Sequence, residues 1–188
     1  MAHKLDGKRI AILVENGFEQ VELTGPKAAL EHAGATALIV SPVEGKVKGW
    51  KFTEWGDVFP VDVPLGEARA EDFDGLVLPG GVINPDKLRL NPRAVALVKD
   101  FLAAKKPIAS ICHGPWTLIE AGAARGRRIT SWPSLRTDLT NAGAEWVDEE
   151  VVTDRGVTTS RKPEDIPAFS RRIIEEIAAA PAAKHRAA

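Results

Sequence analysis

Cys112 is the only cysteine in this 188-residue chain, and the residues around it are typical of a reactive thiol. The segment Ser110-Ile111-Cys112-His113-Gly114 follows an apolar run and has small residues two positions before and two positions after the cysteine. This is the layout of a nucleophile elbow, a sharp strand-to-helix turn that exposes its central side chain. A thiol at a helix N-terminus faces unpaired backbone N–H groups and the positive end of the helix dipole, and both favour the thiolate. A lone cysteine is more often a small buried hydrophobe, but this position predicts a nucleophile.

Two other loops are expected to reach the same pocket. Glu15-Asn16-Gly17-Phe18-Glu19 follows the first predicted strand, and Pro79-Gly80-Gly81 follows the third. Ligands of open α/β sheets bind beyond the carboxyl ends of the strands, so these loops should converge on Cys112. Two consecutive glycines can simply close a tight turn. If they face the thiol, we expect Gly80 and Gly81, with Gly114, to form an oxyanion-binding site for a reacting carbonyl group.

Glu19 is the carboxyl group that we expect beside Cys112. It lies just past the first strand, where an acidic residue can also serve only to open the following helix. Next to a thiolate, its pKa should rise, so that it stays protonated, donates a hydrogen bond to sulfur and titrates together with the thiol. Glu15 competes for this role, but it falls at the end of the strand and ranks lower.

His113 is the histidine best placed for catalysis. His3 and His185 lie in the terminal segments, and His32 falls at the end of a predicted helix. Adjacent side chains point apart in regular structure, so only the sharp turn of an elbow would let His113 act on Cys112. A histidine in that role needs an acid elsewhere to orient its ring.

Large aromatic residues near these loops are candidates for lining the pocket. Trp116, Trp132 and Trp50 could serve this purpose, although large aromatic side chains are more often packing residues. No His, Cys, Asp or Glu set has the spacing of metal ligands, and no glycine-rich loop matches a dinucleotide or phosphate fingerprint. We therefore expect neither a metal nor a cofactor.

The rest of the chain alternates strand-like and helix-like segments, which predicts a mostly parallel sheet covered on both faces. The predicted strands cover residues 8–15, 35–41, 73–78, 107–112, 128–131, 145–147, 151–153 and 157–160. The predicted helices cover residues 19–32, 91–105, 115–121, 134–142 and 163–179. A β-rich excursion is expected over residues 50–63, with turns at 44–45 and 55–56. Residues 1–188 should form a single domain, with 181–188 as a frayed tail.

Composition limits the kinds of partner. Lys and Arg total 25 against 26 Asp and Glu, so the charge balance gives no reason to expect binding to nucleic acid or an anionic membrane. No run approaches the roughly 18 apolar residues of a membrane helix. The N-terminal residues lack the apolar core of a signal peptide, and one cysteine excludes an internal disulfide. We expect a cytoplasmic protein.

Four motifs together resemble the ThiJ/PfpI superfamily, and specifically its PfpI branch of intracellular proteases and general stress proteins. They are the loop 15–19, Leu78-Pro79-Gly80-Gly81, the run from Ala109 to Pro115, and residues 141–148. The resemblance extends from Lys8 to about Ile177. It implies a flavodoxin-like three-layer α/β sandwich with a nucleophile elbow.

The resemblance also implies roles for individual residues. Cys112 would be the nucleophile, Glu19 its protonated partner, and the backbone amides of Gly81 and His113 the oxyanion site. It further implies a homodimer or higher homo-oligomer in which an acid from the neighbouring subunit orients His113. That acid follows a proline after the Gly-Gly turn, which indicates Asp86, although this loop is one residue longer than in PfpI-like proteins.

Three functional classes remain to be compared. The first is a stress-response enzyme that uses Cys112 on reactive carbonyls or their protein adducts, as a glyoxalase or deglycase, or as a weak peptidase. The second, a glutamine amidotransferase, needs a further histidine with an acid close after it, and His185 is followed by no acid. The third is a redox-sensing or chaperone-like stress protein in which Cys112 is oxidised. We favour small carbonyl or adduct chemistry.

Overall fold

The computed structural model describes residues 4–181 and shows strands alternating with helices. The strands are β1 (Arg9–Leu13), β2 (Phe18–Glu19), β3 (Thr36–Ser41), β4 (Lys46–Lys51), β5 (Glu54–Pro60), β6 (Val63–Pro64), β7 (Gly75–Leu78), β8 (Ile108–Ile111), β9 (Arg128–Ile129), β10 (Glu145–Trp146), β11 (Val151–Asp154) and β12 (Val157–Ser160). The helices are α1 (Gln20–His32), α2 (Ile83–Leu90), α3 (Pro92–Ala103), α4 (Pro115–Glu120), α5 (Arg136–Asn141) and α6 (Ile166–Ala179). Single 3₁₀ turns cover Ala70–Asp72, Pro133–Leu135 and Pro163–Asp165.

Seven strands form the central sheet in the order β11-β12-β8-β7-β1-β3-β6. Only β11 runs antiparallel to its neighbour within this sheet. From β1 the chain first moves outward to β3 and later returns to β7 on the other side of β1. The order of the strands therefore reverses between β1 and β7, which is where open α/β sheets bind ligands.

Side chains alternate across the sheet and so supply two cores. Ile10 and Ile12 of β1 pack into the cluster that contains Leu23 of α1 and Phe169 of α6. The intervening residues of β1 pack into a second cluster with helix α3 on the opposite face. This two-residue alternation covers the sheet with helices on both sides, and the predicted flavodoxin-like α/β fold is confirmed.

Strands β2, β4 and β5 form a smaller sheet. Its hairpin turn lies at Phe52-Thr53, where Phe52 has a φ of 54°. The predicted turn at 55–56 is wrong, because Trp55 and Gly56 lie inside β5 and Trp55 pairs with Trp50 of β4. The sequence suggested a turn at the glycine, but the chain turns earlier, at a residue type that seldom adopts positive φ.

Helix α2 is an element that the sequence did not predict. Its sequence, INPDKLRL, has a proline at its third position and little apolar periodicity, so it lacks the usual helix signal. The next helix, α3, begins as predicted, since Asn91 Oδ1 accepts hydrogen bonds from the amides of Arg93 and Ala94. The predicted helix over 134–142 is instead a 3₁₀ turn followed by α5.

The chain ends fall outside this description. His3, His185 and residues 182–188 of the predicted tail lie outside the described residues. Within residues 4–181, no helix is both long enough and apolar enough to span a bilayer.

Candidate active site

Cys112 occupies a strained turn directly after β8. Its φ is 62°, in the left-handed region that non-glycine residues seldom adopt, and the residue is 7% exposed. Gly114 must be glycine here, since a Cβ atom would lie 2.5 Å from both Leu78 O and Ser110 Oγ. These contacts explain the small residues that flank the cysteine in the sequence.

Gly114 closes the turn and does not contribute to an oxyanion site. Its amide donates to Ile111 O at 2.9 Å, so the N–H group is already used within the elbow. The prediction that placed Gly114 among the oxyanion residues is therefore wrong.

The three loops predicted to converge do enclose one cavity of about 590 Å³. Its lining residues come from the loops after β1, β7 and β8, from the starts of α1 and α2, from the β4–β5 hairpin, from the segment between β9 and α5 and from the turn before α6. They are Gly17, Glu19, Glu22, Trp50, Phe52, Gly81, Val82, Ile83, Cys112, His113, Trp132, Pro163 and Glu164. The walls are largely apolar, and their ionisable groups are the thiol, the imidazole and three carboxyl groups.

Glu22, rather than Glu19, is the carboxyl group that contacts the thiol. The side-chain hydrogen bond to Cys112 comes from Glu22, whose Oε2 also accepts the amide of Gly80 at 2.8 Å. Its Oε1 is enclosed without a nitrogen or oxygen partner. Glu19 lines the same cavity, where its Oε2 accepts the amide of Phe52 at 3.2 Å.

Helix geometry explains why Glu19 was the wrong choice. Glu19 is the residue that precedes the first helical residue of α1, and it faces the hairpin, while Glu22 lies one turn further in. Glu22 shares the buried face of α1 with Leu23, Pro26 and Leu30. A charged residue within an apolar stripe at i, i+4 and i+8 spacing is the sequence signal that would have found it.

Burial controls the protonation of the thiol and its partner. Desolvation raises the pKa of Glu22 to about 8, although the hydrogen bond from the Gly80 amide lowers it. Desolvation also raises the pKa of the Cys112 thiol, and a charge on Glu22 raises it further. The expected thiolate stabilisation by a helix N-terminus is outweighed, since α4 has only six residues and the sulfur is buried. Two such groups in contact titrate as a pair and compete for one proton.

Two backbone amides oppose this rise. The N–H groups of Gly81 and His113 donate toward the Cys112 sulfur and lower the pKa of the thiol. They are the amides that the family resemblance indicated. The amide of Gly80, in contrast, is used by Glu22, so Gly80 orients the carboxyl group and the prediction of an oxyanion role for it is wrong.

His113 turns back toward its neighbour, as a sharp elbow allows. Its Nδ1 lies 3.1 Å from Cys112 Sγ, and its Nε2 lies 3.4 Å from Ser134 Oγ. Burial lowers the pKa of His113 to about 4, so the ring is neutral at neutral pH and one nitrogen can accept a proton. Trp132 stacks on the ring at 6.0 Å and lines the cavity, whereas Trp116 packs edge-on at 5.2 Å and lies outside the lining.

Two other predicted acids lie apart from the thiol. Asp86 is exposed on α2 and is not among the lining residues of its own chain. Its contribution from a neighbouring subunit stays a prediction. Glu15 accepts the amide of Asn16 and forms an ion pair with Lys87 at 3.5 Å, so it stabilises its own loop.

Several lining residues were not anticipated. Trp50 was a candidate, but Phe52, Val82 and Ile83 carried no signal before the hairpin and α2 were known. Pro163 and Glu164 come from the turn before α6, far along the chain. Only the folded arrangement brings these segments to the cavity.

Comparison with known proteins identifies the family of this chain. The sequence model of the DJ-1/PfpI family matches residues 8–176. A deglycase of Pyrococcus abyssi is 42% identical over 167 residues, which cover 89% of this chain and 98% of the relative. General stress protein 18 of Bacillus subtilis is 43% identical over 88% of this chain and 95% of its own length.

A solved structure has a similar fold. Drosophila melanogaster DJ-1beta superposes with a TM-score of 0.82 and 28% identity, covering 91% of this chain and 90% of the other. The match to the family model spans residues 8–176, and the match in fold covers 91% of this chain. This chain therefore belongs to the DJ-1/PfpI family.

Proposed function

We propose that the chain is a stress-related enzyme that uses Cys112 on reactive carbonyl compounds or on their adducts with proteins. The observation that carries the proposal is the grouping of Cys112 with Glu22 and His113 in an enclosed, largely apolar cavity. The name of the deglycase relative supports carbonyl-adduct chemistry, and that of general stress protein 18 supports a role in stress.

The first step uses groups that the site holds ready. The sulfur of Cys112 attacks the aldehyde carbon of a compound such as methylglyoxal, and the thiol proton passes to the neighbouring Glu22 carboxylate. The carbonyl electron pair moves onto oxygen, which accepts a proton to give a hemithioacetal. Glu22 serves as the base because its pKa of about 8 is well above that of His113, which burial lowers to about 4.

The second step is an internal redox reaction. A proton moves from the first carbon to the second, so that the aldehyde carbon reaches the thioester level while the ketone becomes an alcohol. Water then cleaves the thioester, which releases a 2-hydroxy acid and restores the thiol. Because one substrate carbon is oxidised and the other reduced, the reaction needs no external oxidant or reductant. Glu22 is placed to hold or return a proton beside the sulfur.

The experiment measures methylglyoxal consumption together with lactate formation. The parent should turn over, Cys112→Ser should not, and lactate should account for the methylglyoxal consumed. Consumption without lactate would contradict the reaction, since simple adduct formation at arginine and lysine also removes methylglyoxal.

A redox role is a second candidate that the same donors favour. The amides of Gly81 and His113 and a protonated Glu22 would also bind the oxygens of a cysteine sulfinic acid. Peroxide treatment followed by intact mass tests this candidate. A stable gain of two oxygens, confined to Cys112 and lost in Glu22→Ala, supports it, and progressive oxidation to sulfonic acid contradicts it.

A further inference from the structure

A second cavity lies at the amino ends of β8 and β12, at the opposite end of the sheet from Cys112. It has a volume of about 440 Å³. Its lining consists of Leu102, Lys105, Lys106, Arg127, Arg155, Gly156 and Val157. Four of these seven residues are cationic and none is acidic. We call this cavity the basic pocket.

Arg127 presents a donor that nothing in the described chain accepts. Its Nη1 donates to Ala123 O at 3.1 Å, but its Nε is enclosed and has no hydrogen-bond partner. A buried donor without a partner costs free energy, and such groups in native proteins often mark a missing water or ion. The guanidinium is thus held in place with an unused N–H group.

Arg155 brings a second guanidinium beside the first. It lies in the turn between β11 and β12, where its Nη2 donates to Gly126 O and its Nε to Asp154 Oδ1. Desolvation lowers the pKa of Arg127, and the charge of Arg155 lowers it further. Two neighbouring positive charges repel each other, and an anion between them would relieve the repulsion.

Nearby acids only partly compensate this charge. Asp154 is shared, because it also accepts the backbone amide of Arg128 at 2.9 Å, and it raises the pKa of Arg127 only as a minor cause. Lys106 is occupied, since its Nζ donates to Ala70 O and Phe73 O, each at 2.7 Å. Three acids also interact electrostatically with Lys106: Asp74, Asp72 and Glu71. The charge available to a ligand therefore comes from Arg127, Arg155 and exposed Lys105.

The backbone around the basic pocket is strained in the same manner as the backbone around the cavity that Cys112 lines, which we call the thiol cavity. Among residues 4–181, four non-glycine residues have positive φ: Phe52, Lys105, Cys112 and Arg155. Two of them line the thiol cavity and the other two line the basic pocket. Strained residues of this kind are concentrated at functional sites, where the surrounding structure holds them.

We propose that the basic pocket binds the phosphate group of a small phosphorylated molecule. Arg127 and Arg155 would be its paired ligands, and Lys105 would supply a third positive charge. Guanidinium groups match the oxygens of phosphate in geometry as well as charge. The cavity is larger than one phosphate ion, and Leu102 and Val157 give it an apolar wall for the remainder of the ligand.

Titration of the parent with inorganic phosphate tests this site. Sodium chloride is exchanged for phosphate at constant ionic strength, and backbone amide shifts are followed by NMR. Saturable shifts should be confined to residues around the pocket, such as Gly126, Gly156 and Val157. Arg127→Gln should weaken binding at least about tenfold, which corresponds to the loss of one charge-assisted hydrogen bond. Arg155→Gln should weaken it similarly.

Matched variants separate a specific site from general attraction. Arg171→Gln removes an exposed arginine of α6 outside the pocket and should leave the affinity unchanged. Arg127→Lys keeps the positive charge, so it should retain part of the phosphate binding that Arg127→Gln loses. An unsaturable titration, or an equal affinity in Arg127→Gln and the parent, would overturn the proposal. Acetate binding as tightly as phosphate would contradict the assignment of a phosphate group.

Discussion

The two ends of β8 carry opposite chemistry. At its carboxyl end, Cys112 and Glu22 are enclosed, and burial raises the pKa values of both. At its amino end, the basic pocket gathers four cationic side chains and no acidic one. An enclosed acidic pair can lower its charge by sharing a proton, whereas arginines cannot give up theirs and need a counter-ion. The first arrangement suits proton transfer, and the second suits binding.

The largest expected effect separates the two ends completely. Cys112→Ser should reduce methylglyoxal turnover to the uncatalysed rate, because the hydroxyl is a far weaker nucleophile than the thiol. Its affinity for phosphate at the basic pocket should equal that of the parent. Lactate assays and NMR titrations on the same preparation check both statements, and a simultaneous loss of both would indicate that the variant is misfolded.

The next effect distinguishes the two carboxyl groups of the thiol cavity. Glu22→Gln should lower kcat by about 100-fold, the lower end of what general acid–base groups contribute. Glu19→Gln should lower it by less than about tenfold, since Glu19 bonds the hairpin amide and not the sulfur. Steady-state kinetics on both variants decide the order. A larger loss in Glu19→Gln would contradict the assignment of Glu22.

Gly80→Ala should damage the thiol cavity through packing alone. The added Cβ would lie 2.6 Å from Glu22 Oε2 and 2.7 Å from Cys112 Cβ. Overpacking of this kind costs about 1–3 kcal/mol of unfolding free energy, and activity should fall as well. Urea denaturation measures the cost. Val82→Ala, a truncation of an exposed lining residue two positions later, is the comparison variant and should unfold near the parental urea concentration.

The pH dependence of stability reports on Glu22. Its pKa is about 8 in the folded chain and about 4.3 in an unfolded one. Stability is therefore highest below the unfolded value and falls as pH rises toward 8, by up to about 1.4 kcal/mol per pH unit. The difference in unfolding free energy between the parent and Glu22→Gln should show this slope. A difference that does not change between pH 5 and 8 would mean that Glu22 is ionised throughout.

The smallest effect tests the independence of the basic pocket. Arg155→Gln should leave methylglyoxal turnover within about twofold of the parent, because the residue lies at the amino edge of the sheet. The same assay that shows the loss in Cys112→Ser measures it. A larger change in turnover would show that the two ends of β8 are coupled.

The features that depend on local chain geometry could be predicted from the sequence. The elbow at Cys112, the turn back of His113 and the cap at Asn91 all follow from residue types at short spacing. Helix α2 was missed because Pro85 and its polar neighbours hide the periodic signal. The hairpin turn was misplaced because Phe52 adopts a φ that its residue type disfavours.

Properties that depend on burial were harder to predict. The choice between Glu19 and Glu22 depends on which face of α1 packs against the loop after β7, and this is a tertiary contact. The pKa of Cys112 was expected to fall because of the helix N-terminus, whereas burial of the sulfur raises it. Desolvation depends on every segment that encloses the cavity, including the distant turn at Pro163.

The pH profile of thiol alkylation shows whether Glu22 is the proton partner of Cys112. The rate of reaction with iodoacetamide is measured across pH for the parent, Glu22→Gln and Glu19→Gln. The parent should titrate in two steps, because thiol and carboxyl are coupled, and Glu22→Gln in one. Glu19→Gln should keep both steps. Two steps in Glu22→Gln, together with a single step in Glu19→Gln, would give this role to Glu19 instead.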